Sequence, residues 1–345
     1  MRACILDEWG GSLTVESVPT PSPGPNEVRV AVRACGVTRT IENAIQGGLD
    51  DDPGLTPRIP GHEFAGVVDE VGDFVDTVEP GDRVVAYFYL SCERCDACRS
   101  GNTNQCHNFG GWYGVNRDGA YAEQAIVPAP NVLPLAADAS FAEGAIATDG
   151  LATPLHICHR TDIDESDTVL VIGAAGRIGI HLCQLAAARG AQVLGADIGD
   201  DRLAHIERYT EDSVTAVDAG DDEFADVLGA ETLYNDEPTV VVDVVGDLDT
   251  LDTAWSALGM GGQLVTLTTH HDRQFAPLLK EFVVTEGSIV GSRYATKSEV
   301  VRAGQLFASG RIDPVVTDRV GLDEVPAVHE RIRDGESHGM VILEP

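Results

Sequence analysis

Four cysteines within fifteen residues form the most chemically specific pattern in this chain. Cys92, Cys95, Cys98 and Cys106 are spaced C-x2-C-x2-C-x7-C. Four thiolates at such intervals can close a tetrahedron around Zn²⁺, with bonds of about 2.3 Å and no open coordination position, so the predicted zinc is structural. An iron–sulfur cluster and free thiols are the alternatives, although the intervals do not match the ferredoxin spacings. A zinc would replace the hydrophobic core that a small loop lacks, which predicts a rigid lobe over residues 88–112.

The other residues of metal-binding type near or outside this lobe have simpler expected roles. His107 adjoins the last cysteine of the quartet and is predicted to be a bystander. The remaining four cysteines lie in apolar or helical surroundings and are predicted to be small core residues: Cys4, Cys35, Cys158 and Cys183.

A glycine-rich turn follows an apolar run and precedes a helical pattern. Val169 to Ile172 lead into G-x-x-G-x-x-G, and a helix is predicted from about Ile178. Glycines let the backbone approach a pyrophosphate, whose charge sits on the free N–H groups of the helix start. The alternative is a turn that only packs the helix on the strand. The residues predicted to meet a dinucleotide here are Gly173, Gly176, Arg177, Ile178 and Gly179.

Asp197 strengthens the dinucleotide interpretation. It closes the next apolar strand, 18 residues after Gly179, where a carboxylate can accept hydrogen bonds from the adenosine ribose. A carboxylate repels a 2′-phosphate, so NAD is favoured over NADP. Arg202 follows closely and leaves NADP as the alternative.

The elements that must position these residues change character along the chain. Up to about residue 150 the sequence reads as short strands separated by turns, whereas from about Thr168 apolar β-branched runs alternate with helical segments. Such runs indicate a doubly wound parallel sheet of the Rossmann type. The later apolar segments Phe282 to Val284 and Ser288 to Val290 are predicted to be strands, and His270 and His271 to lie in a solvated loop.

The amino-acid composition excludes some classes of binding partner. The 345 residues include 23 Lys and Arg against 56 Asp and Glu, a net charge of −33, with 43% hydrophobic residues. A folded protein with an acidic surface is therefore expected, binding neither nucleic acid nor anionic membranes. Only Lys280 and Lys297 are lysines, a composition typical of halophiles; an acidic mesophilic protein is the alternative. No apolar run reaches membrane-span length, and Asp7 and Glu8 do not fit a signal peptide, so a cytoplasmic location is expected.

The motif G-H-E-x2-G-x5-G, from Gly61 to Gly72, precedes the cysteine lobe and the glycine-rich turn. In this order the motifs resemble those of the zinc-containing medium-chain dehydrogenase/reductases, the alcohol dehydrogenase-like family. The resemblance implies a GroES-like β-rich catalytic domain over residues 1–152, a Rossmann domain over 153–293 and a C-terminal return over 294–345. It also implies hydride transfer between nicotinamide and an alcohol, aldehyde or ketone, with a catalytic zinc on the oxygen.

Carried over by position, the resemblance implies roles for individual residues. His62 matches a ligand of the catalytic zinc, Glu63 an acid that can join its coordination, and Asp149 a third ligand. Thr40 matches the hydroxyl that begins the proton relay from the substrate.

The segment 38–43 departs from the family pattern at three positions. Thr38 stands where a cysteine ligand is expected, Ile41 where an aspartate is expected, and Asn43 where a histidine is frequent. Cys35 is a substitute ligand only if its side chain emerges at the same place. One hypothesis keeps a weaker zinc on His62, Asp149 and Glu63, with Thr38 and Thr40 placing the substrate. The alternatives are a reductase of carbonyls or activated C=C bonds without catalytic zinc, and a non-catalytic NAD(H) sensor.

Two further expectations concern surfaces. Several aromatic residues near the lobe either line an apolar substrate site or pack the lobe on its domain: Phe88, Phe109, Trp112 and Tyr113. An edge strand late in the Rossmann domain pairs across a two-fold axis in relatives, so the resemblance implies a homodimer or homotetramer.

Overall fold

The computed structural model describes residues 1–47, 56–220, 237–269, 273–336 and 339–345. Their contacts divide the chain into two units. The first contains Met1–Ala152, Ala295–Gly310 and Val316–Pro345, and the second contains Thr153–Tyr294 and Arg311–Val315. The brief return of Arg311–Val315 to the second unit was not predicted. The loop expected at His270 and His271 lies outside the described residues.

The strands are named in chain order. They are β1 (Arg2–Leu6), β2 (Leu13–Ser17), β3 (Glu27–Val37), β4 (Phe64–Val71), β5 (Arg83–Ala86), β6 (Gln124–Pro128), β7 (Val132–Pro134), β8 (Thr168–Ile172), β9 (Gln192–Asp197), β10 (Thr215–Asp218), β11 (Val240–Asp243), β12 (Gln263–Thr266), β13 (Ser288–Gly291), β14 (Val316–Val320) and β15 (Met340–Leu343).

The α-helices are also named in chain order. They are α1 (Arg39–Ile45), α2 (Asp96–Arg99), α3 (Phe141–Ile146), α4 (Ala152–Thr161), α5 (Arg177–Ala188), α6 (Asp200–Thr210), α7 (Leu248–Ser256), α8 (Leu279–Thr285), α9 (Lys297–Ala308) and α10 (Val325–Arg333). A π-helical turn, Ala147–Leu151, connects α3 to α4.

The first unit is built on a sheet in the order β14-β15-β3-β4-β5-β7, with β6 also paired to β3. β3 alternates between buried and partly exposed residues at its start and is buried throughout Ala34–Val37 at its end. Because β3 and β4 run antiparallel, the end of β3 lies beside the start of β4, and Cys35 pairs with Phe64. The residues just after β3 and just before β4 are thereby brought together.

The second unit is a parallel sheet in the order β10-β9-β8-β11-β12-β13. The first strand, β8, is buried along its whole length, as expected where helices cover both faces. The strand order reverses between β8 and β11, and in such sheets ligands bind at the carboxyl ends of the strands where the order reverses. The parallel sheet of the second unit is the Rossmann class predicted from the sequence, and the first unit is β-rich as predicted.

One predicted strand is wrong. Phe282 to Val284 lie in helix α8, whereas Ser288 to Val290 lie in strand β13 as predicted. The apolar run indicated a strand, but Phe282 instead stacks on Trp255, with ring centroids 5.7 Å apart, from one face of a helix. A separate expectation concerned membranes: among the described residues, no helix has the length and apolarity needed to cross one.

We predict that Gly66→Ala destabilises the first unit because β3 and β4 approach closely there. A Cβ at Gly66 would lie 2.2 Å from the carbonyl oxygen of Ala31, a backbone atom that cannot move aside cheaply. Overpacking of this kind costs about 2–3 kcal/mol in the free energy of unfolding, measurable by urea denaturation. The matched control is Gly304→Ala in helix α9, where a Cβ meets no atom within 4 Å. There the exchange should stabilise by about 0.5–1 kcal/mol. Equal shifts in both variants would contradict the described strand packing.

Candidate active site

Three of the predicted site residues converge in the first unit. The Nε2 atom of His62 lies 3.4 Å from an oxygen of Glu63 and 3.5 Å from an oxygen of Asp149. One donor atom from each of the three residues lies within 4.8 Å of the others. All three residues are buried, Asp149 being 7% exposed and the other two 1% or less.

Different elements deliver these side chains. His62 and Glu63 immediately precede β4, and the backbone carbonyl of Glu63 accepts a hydrogen bond of 2.8 Å from the N–H of Gly36 in β3. Asp149 lies on the π-helical turn between α3 and α4. π-Helical turns are rare and occur frequently at functional sites, because the extra residue in the turn redirects a side chain.

The donor set fits a zinc ion. Imidazole and carboxylate are ordinary zinc ligands at about 2.0–2.2 Å, and a tetrahedron with such bonds has edges of about 3.4 Å. The two measured separations from His62 Nε2 match that edge length. Two buried carboxylates beside one imidazole also bring together negative charge that a cation would balance. The ring of His62 is further held edge-on against Phe88, with centroids 4.5 Å apart.

The segment with the three departures forms the start of helix α1. Thr38 is its N-cap: the buried hydroxyl accepts the N–H of Ile41 at 3.3 Å. A threonine hydroxyl retains its own proton for donation, so capping leaves a polar contact to a ligand available. Thr40 is half-buried, Ile41 is buried and Asn43 is exposed.

Cys35 does not substitute for the missing sulfur ligand. It is buried in β3, and it is absent from the set of donor atoms that converge on His62 among the described residues. Burial, together with the nearby charge of Glu63, raises the pKa of the Cys35 thiol well above its ordinary value. The thiol is therefore a neutral core group, as its position on a strand predicts.

The four lobe cysteines form a second cluster whose donor atoms lie within 4.8 Å of one another. The Sγ atom of Cys98 is 3.5 Å from that of Cys95 and 4.0 Å from that of Cys92. A tetrahedral zinc with bonds of about 2.3 Å has sulfur–sulfur edges of about 3.8 Å, whereas a disulfide needs about 2.05 Å. The arrangement therefore fits four thiolates around one zinc. His107 is exposed and contributes no side-chain donor to the cluster.

Hydrogen bonds from backbone N–H groups lower the pKa of two of these sulfurs and so favour their thiolate form. The N–H of Arg94 and further hydrogen bonds lower the pKa of Cys92 to about 6. The N–H groups of Cys98 and His107 lower the pKa of Cys95. Burial, followed by the neighbouring sulfurs of Cys95 and Cys106, raises the pKa of Cys98 to about 12.

A lysine ties the lobe to helix α9. The Lys297 ammonium donates to Glu93 at 2.7 Å and to the carbonyl of Pro130 at 2.6 Å, and it lies 5.5 Å from the ring centroid of Tyr87. Aromatic rings continue the contact: Tyr89 stacks on Trp112 at 5.7 Å and meets Phe88 at 5.2 Å. Of the two predicted roles for the aromatic residues, packing of the lobe on its unit is the one these contacts support.

The glycine-rich turn lies in the second unit, between β8 and α5. Gly173 has a φ of +86°, which a side chain would strain, and Gly176 is the N-cap of α5. A Cβ at Gly179 would lie 2.3 Å from the carbonyl oxygen of Gly173. The turn therefore needs these glycines, and it leaves the first N–H groups of α5 directed at the loop, as pyrophosphate binding requires.

Asp197 ends β9 and is already engaged with the turn. Its carboxylate accepts the N–H of Ala175 and the N–H of Ile198, each at 2.9 Å. Arg202 lies 3.4 Å from the same carboxylate. Asp197 thus braces the glycine-rich turn from the end of the neighbouring strand.

Sequence reasoning missed a second acid of the same kind. Asp243 ends β11, is fully buried, and accepts the N–H groups of Val245 at 2.8 Å and Gly246 at 3.1 Å. Burial raises its pKa, although these hydrogen bonds act in the opposite direction. The signal was present, since an acid that ends an all-apolar strand is the pattern that identified Asp197.

Comparisons with known proteins agree with this geometry. Residues 24–137 match the family described as "Alcohol dehydrogenase GroES-like domain", and residues 178–309 match "Zinc-binding dehydrogenase". An acryloyl-coenzyme A reductase from Metallosphaera sedula is 30% identical over 346 residues, covering 99% of both proteins. An alcohol dehydrogenase from a Moraxella species is 30% identical over 348 residues, covering 100% of this chain and 99% of that protein. The solved thermostable alcohol dehydrogenase of Pyrobaculum aerophilum has a TM-score of 0.87 at 29% identity, with 100% and 99% of the two chains covered.

We predict that Asp197→Asn raises the KM for NAD about tenfold and changes the KM for NADP less. The amide keeps one acceptor for the Ala175 N–H but loses the charge that repels a 2′-phosphate and binds the ribose hydroxyls. Arg202→Gln is the reciprocal variant and should raise the KM for NADP more than that for NAD. Steady-state kinetics with both cofactors measure this, and equal changes for the two cofactors in each variant would refute the ribose role.

Proposed function

Because the chain belongs to the zinc-containing medium-chain dehydrogenase/reductase family, we propose that it transfers a hydride between NAD(H) and a small alcohol or carbonyl at the His62–Glu63–Asp149 site. The chain is an NAD(P)-dependent oxidoreductase of the alcohol dehydrogenase-like type. The observation that carries the proposed site is the convergence of one imidazole and two buried carboxylates, at separations that suit zinc.

The residues of this chain have separate tasks in the proposal. Bound at the three donors, zinc would supply Lewis-acid polarisation of the substrate oxygen, and bound nicotinamide would exchange the hydride. His62, Glu63 and Asp149 would hold the ion, and the ring of Phe88 packs edge-on against the imidazole of His62. The Thr40 hydroxyl takes the proton of the substrate alcohol and passes it outward. Asn43 is exposed, and its amide can hydrogen-bond but does not titrate, so the proposed relay passes from Thr40 to solvent without a histidine.

A second candidate function is the reduction of an activated C=C bond. Thr38 caps helix α1 where a cysteine ligand is expected, and Ile41 supplies no acceptor to orient a liganding histidine. The similar protein from Metallosphaera sedula is an acryloyl-coenzyme A reductase. In this version the hydroxyls of Thr38 and Thr40 would polarise the conjugated carbonyl, NADH would deliver hydride to the β-carbon, and the enolate would take a proton from water at the α-carbon.

The cofactor proposed is NAD. Asp197 places a carboxylate beside the glycine-rich turn, and this charge disfavours a 2′-phosphate. Arg202 is held by the same carboxylate, which limits its freedom to bind that phosphate.

We further propose a homodimer formed through the edge of the second unit. Helix α8, the residue that caps its start and strand β13 expose several large apolar side chains: Leu278, Leu279, Phe282, Val283, Val284 and Ile289. Exposed apolar patches beside an open strand edge are typical of subunit interfaces. Sedimentation equilibrium tests this, since a particle with the mass of one chain at micromolar concentration would rule it out.

We propose that the protein functions in concentrated salt, and we predict that salt stabilises its fold. The net charge is −33, and only six of the described acidic residues are buried. Raising KCl from 0.1 to 1 M shortens the Debye length from about 10 to about 3 Å and screens the self-repulsion of the acidic surface. The midpoint of thermal unfolding should rise by about 10 °C or more over this range. Sucrose of equal osmolality is the control, and an equal rise in sucrose would contradict an electrostatic cause.

We predict two zinc ions per chain by metal analysis in high salt. Cys98→Ser should lose one of them, and Asp149→Asn should lose the other together with at least about 100-fold in kcat for alcohol oxidation. Asp138→Asn, an exposed acid in the same unit, is the matched control and should keep both ions and full activity.

The same variants separate the two candidate functions. Loss of alcohol oxidation in Asp149→Asn supports the zinc alcohol dehydrogenase. Turnover of an α,β-unsaturated thioester that survives in Asp149→Asn, with one zinc in the wild type, supports the reductase.

A further inference from the structure

A buried polar network lies behind helix α1. Glu42, only 2% exposed, accepts a hydrogen bond of 2.9 Å from Nδ1 of His329 and one of 2.8 Å from Nε of Arg333. Both donors come from the C-terminal helix α10. Gln46 adds a hydrogen bond of 3.0 Å from one turn further along α1. The carboxylate is therefore enclosed by donors from two helices, although it lies nearly out of reach of water.

The network continues to the candidate metal site. Nε2 of His329 lies 3.1 Å from the hydroxyl of Tyr121, and this hydroxyl faces the carbonyl of Gly36 at 3.5 Å. The ring of Tyr121 also packs on Gly61, where an added Cβ would lie 2.5 Å from a ring carbon. Tyr121 is fully buried and thus touches both chain segments that meet beside His62.

Electrostatics favour the charged form of Glu42. Burial acts to raise the pKa of this carboxyl group, but the hydrogen bonds and charges of His329 and Arg333 outweigh burial and lower it. A buried carboxylate held by two cationic or hydrogen-bonding groups is costly to dislodge, because any movement leaves a charge unpaired in a poorly solvated place. The contact between α1 and α10 therefore resists sliding.

Helix α1 needs such an anchor. It has only seven residues, too few for an isolated helix to be stable, and it carries Thr40 in its first turn. A cysteine at the position of Thr38 would tie the start of this helix to the metal, as the resemblance to the family implies. The Thr38 hydroxyl instead caps its own helix by accepting the N–H of Ile41, and the backbone N–H of Thr38 donates a hydrogen bond to the Tyr121 hydroxyl.

We propose that Glu42, His329 and Tyr121 are positioning residues that hold the start of helix α1 against the His62–Glu63 segment, in place of a thiolate bond to the metal. The proposal rests on the proposed function, since it places the Thr40 hydroxyl for that reaction. The Glu42 carboxylate links α1 to α10 through His329 and Arg333. The Tyr121 side chain links α10 to Gly36 and Gly61. Arg333 closes the network at the surface, where its side chain is 49% exposed.

The test uses Glu42→Gln and Tyr121→Phe in the full chain with its zinc. Glu42→Gln removes the charge and turns amide hydrogens toward donors, whereas Tyr121→Phe removes one hydroxyl and keeps the ring on Gly61. Arg331→Gln is the matched control, since Arg331 lies on the same helix but pairs with Asp318 at the surface. The measurements are amide hydrogen exchange of residues 36–46, thermal unfolding, zinc content, and kcat and KM for the alcohol and the cofactor.

We expect exchange in residues 36–46 to be at least about tenfold faster in both variants, with kcat lowered at least about tenfold. The KM for the cofactor should stay within about twofold of the wild type, because the glycine-rich turn is unchanged. The control should match the wild type in every measurement. A purely structural role predicts a lower unfolding temperature with an unchanged kcat per folded chain, and this result would overturn the proposal.

Two further outcomes are distinguishable. If Glu42→Gln fails to fold, Tyr121→Phe alone decides between the two results above. If the wild type oxidises no alcohol and reduces no activated alkene, the proposed function fails. The rates of amide hydrogen exchange in residues 36–46 then still show whether the Glu42–His329–Tyr121 network holds helix α1 in place. Wild-type exchange rates in residues 36–46 of Tyr121→Phe would overturn the anchor independently of any activity.

Discussion

The antiparallel pairing of β3 with β4 is the constraint on which the candidate active site depends. It places the N–H of Gly36 on the carbonyl of Glu63, and it lets the Glu63 side chain lie over a position without a Cβ. A side chain at Gly36 would lie 2.9 Å from the carboxylate oxygen, so the acid could not lie where it does. The ends of two strands therefore determine where an imidazole and a carboxylate meet. Asp149 then needs only one irregular helical turn to join them.

The second unit has the same feature twice, an acid at the end of an apolar strand. In a parallel sheet the carboxyl ends of the strands share one edge, and Asp197 and Asp243 each end an apolar strand there with a carboxylate that accepts backbone N–H groups. Asp197 accepts N–H groups from the glycine-rich turn and from the residue after β9, and Asp243 accepts N–H groups from the loop after β11. These hydrogen bonds hold backbone groups that water would otherwise solvate. The glycines permit the tight turn after β8, and the two acids fix the backbone of the loops at the ends of β8, β9 and β11.

Much of this could be predicted from the sequence, because local patterns carry the elements involved. Period-two and apolar runs located the strands, and the cysteine spacing and the glycine-rich turn each define a site within a short stretch of chain. The prediction of a strand at Phe282 to Val284 was wrong because a short apolar run does not distinguish a buried strand from a helix. The Glu42 network was invisible for a different reason. Its members are separated by up to 291 residues in sequence, and a glutamate followed by helix-forming residues reads as an ordinary exposed position.

The contacts of Lys297 have a practical consequence for labelling the protein. Only two of the 23 Lys and Arg residues are lysines, and one of them, Lys297, places a compact ammonium against Glu93, the Pro130 carbonyl and the Tyr87 ring. Lys280 is exposed, whereas the side chain of Lys297 is only 17% exposed and fully occupied. In the dissociated chain, amine-reactive dyes and surface-coupling reagents will therefore modify Lys280 before Lys297. The contacts of Lys297 with the cysteine lobe stay intact under such labelling.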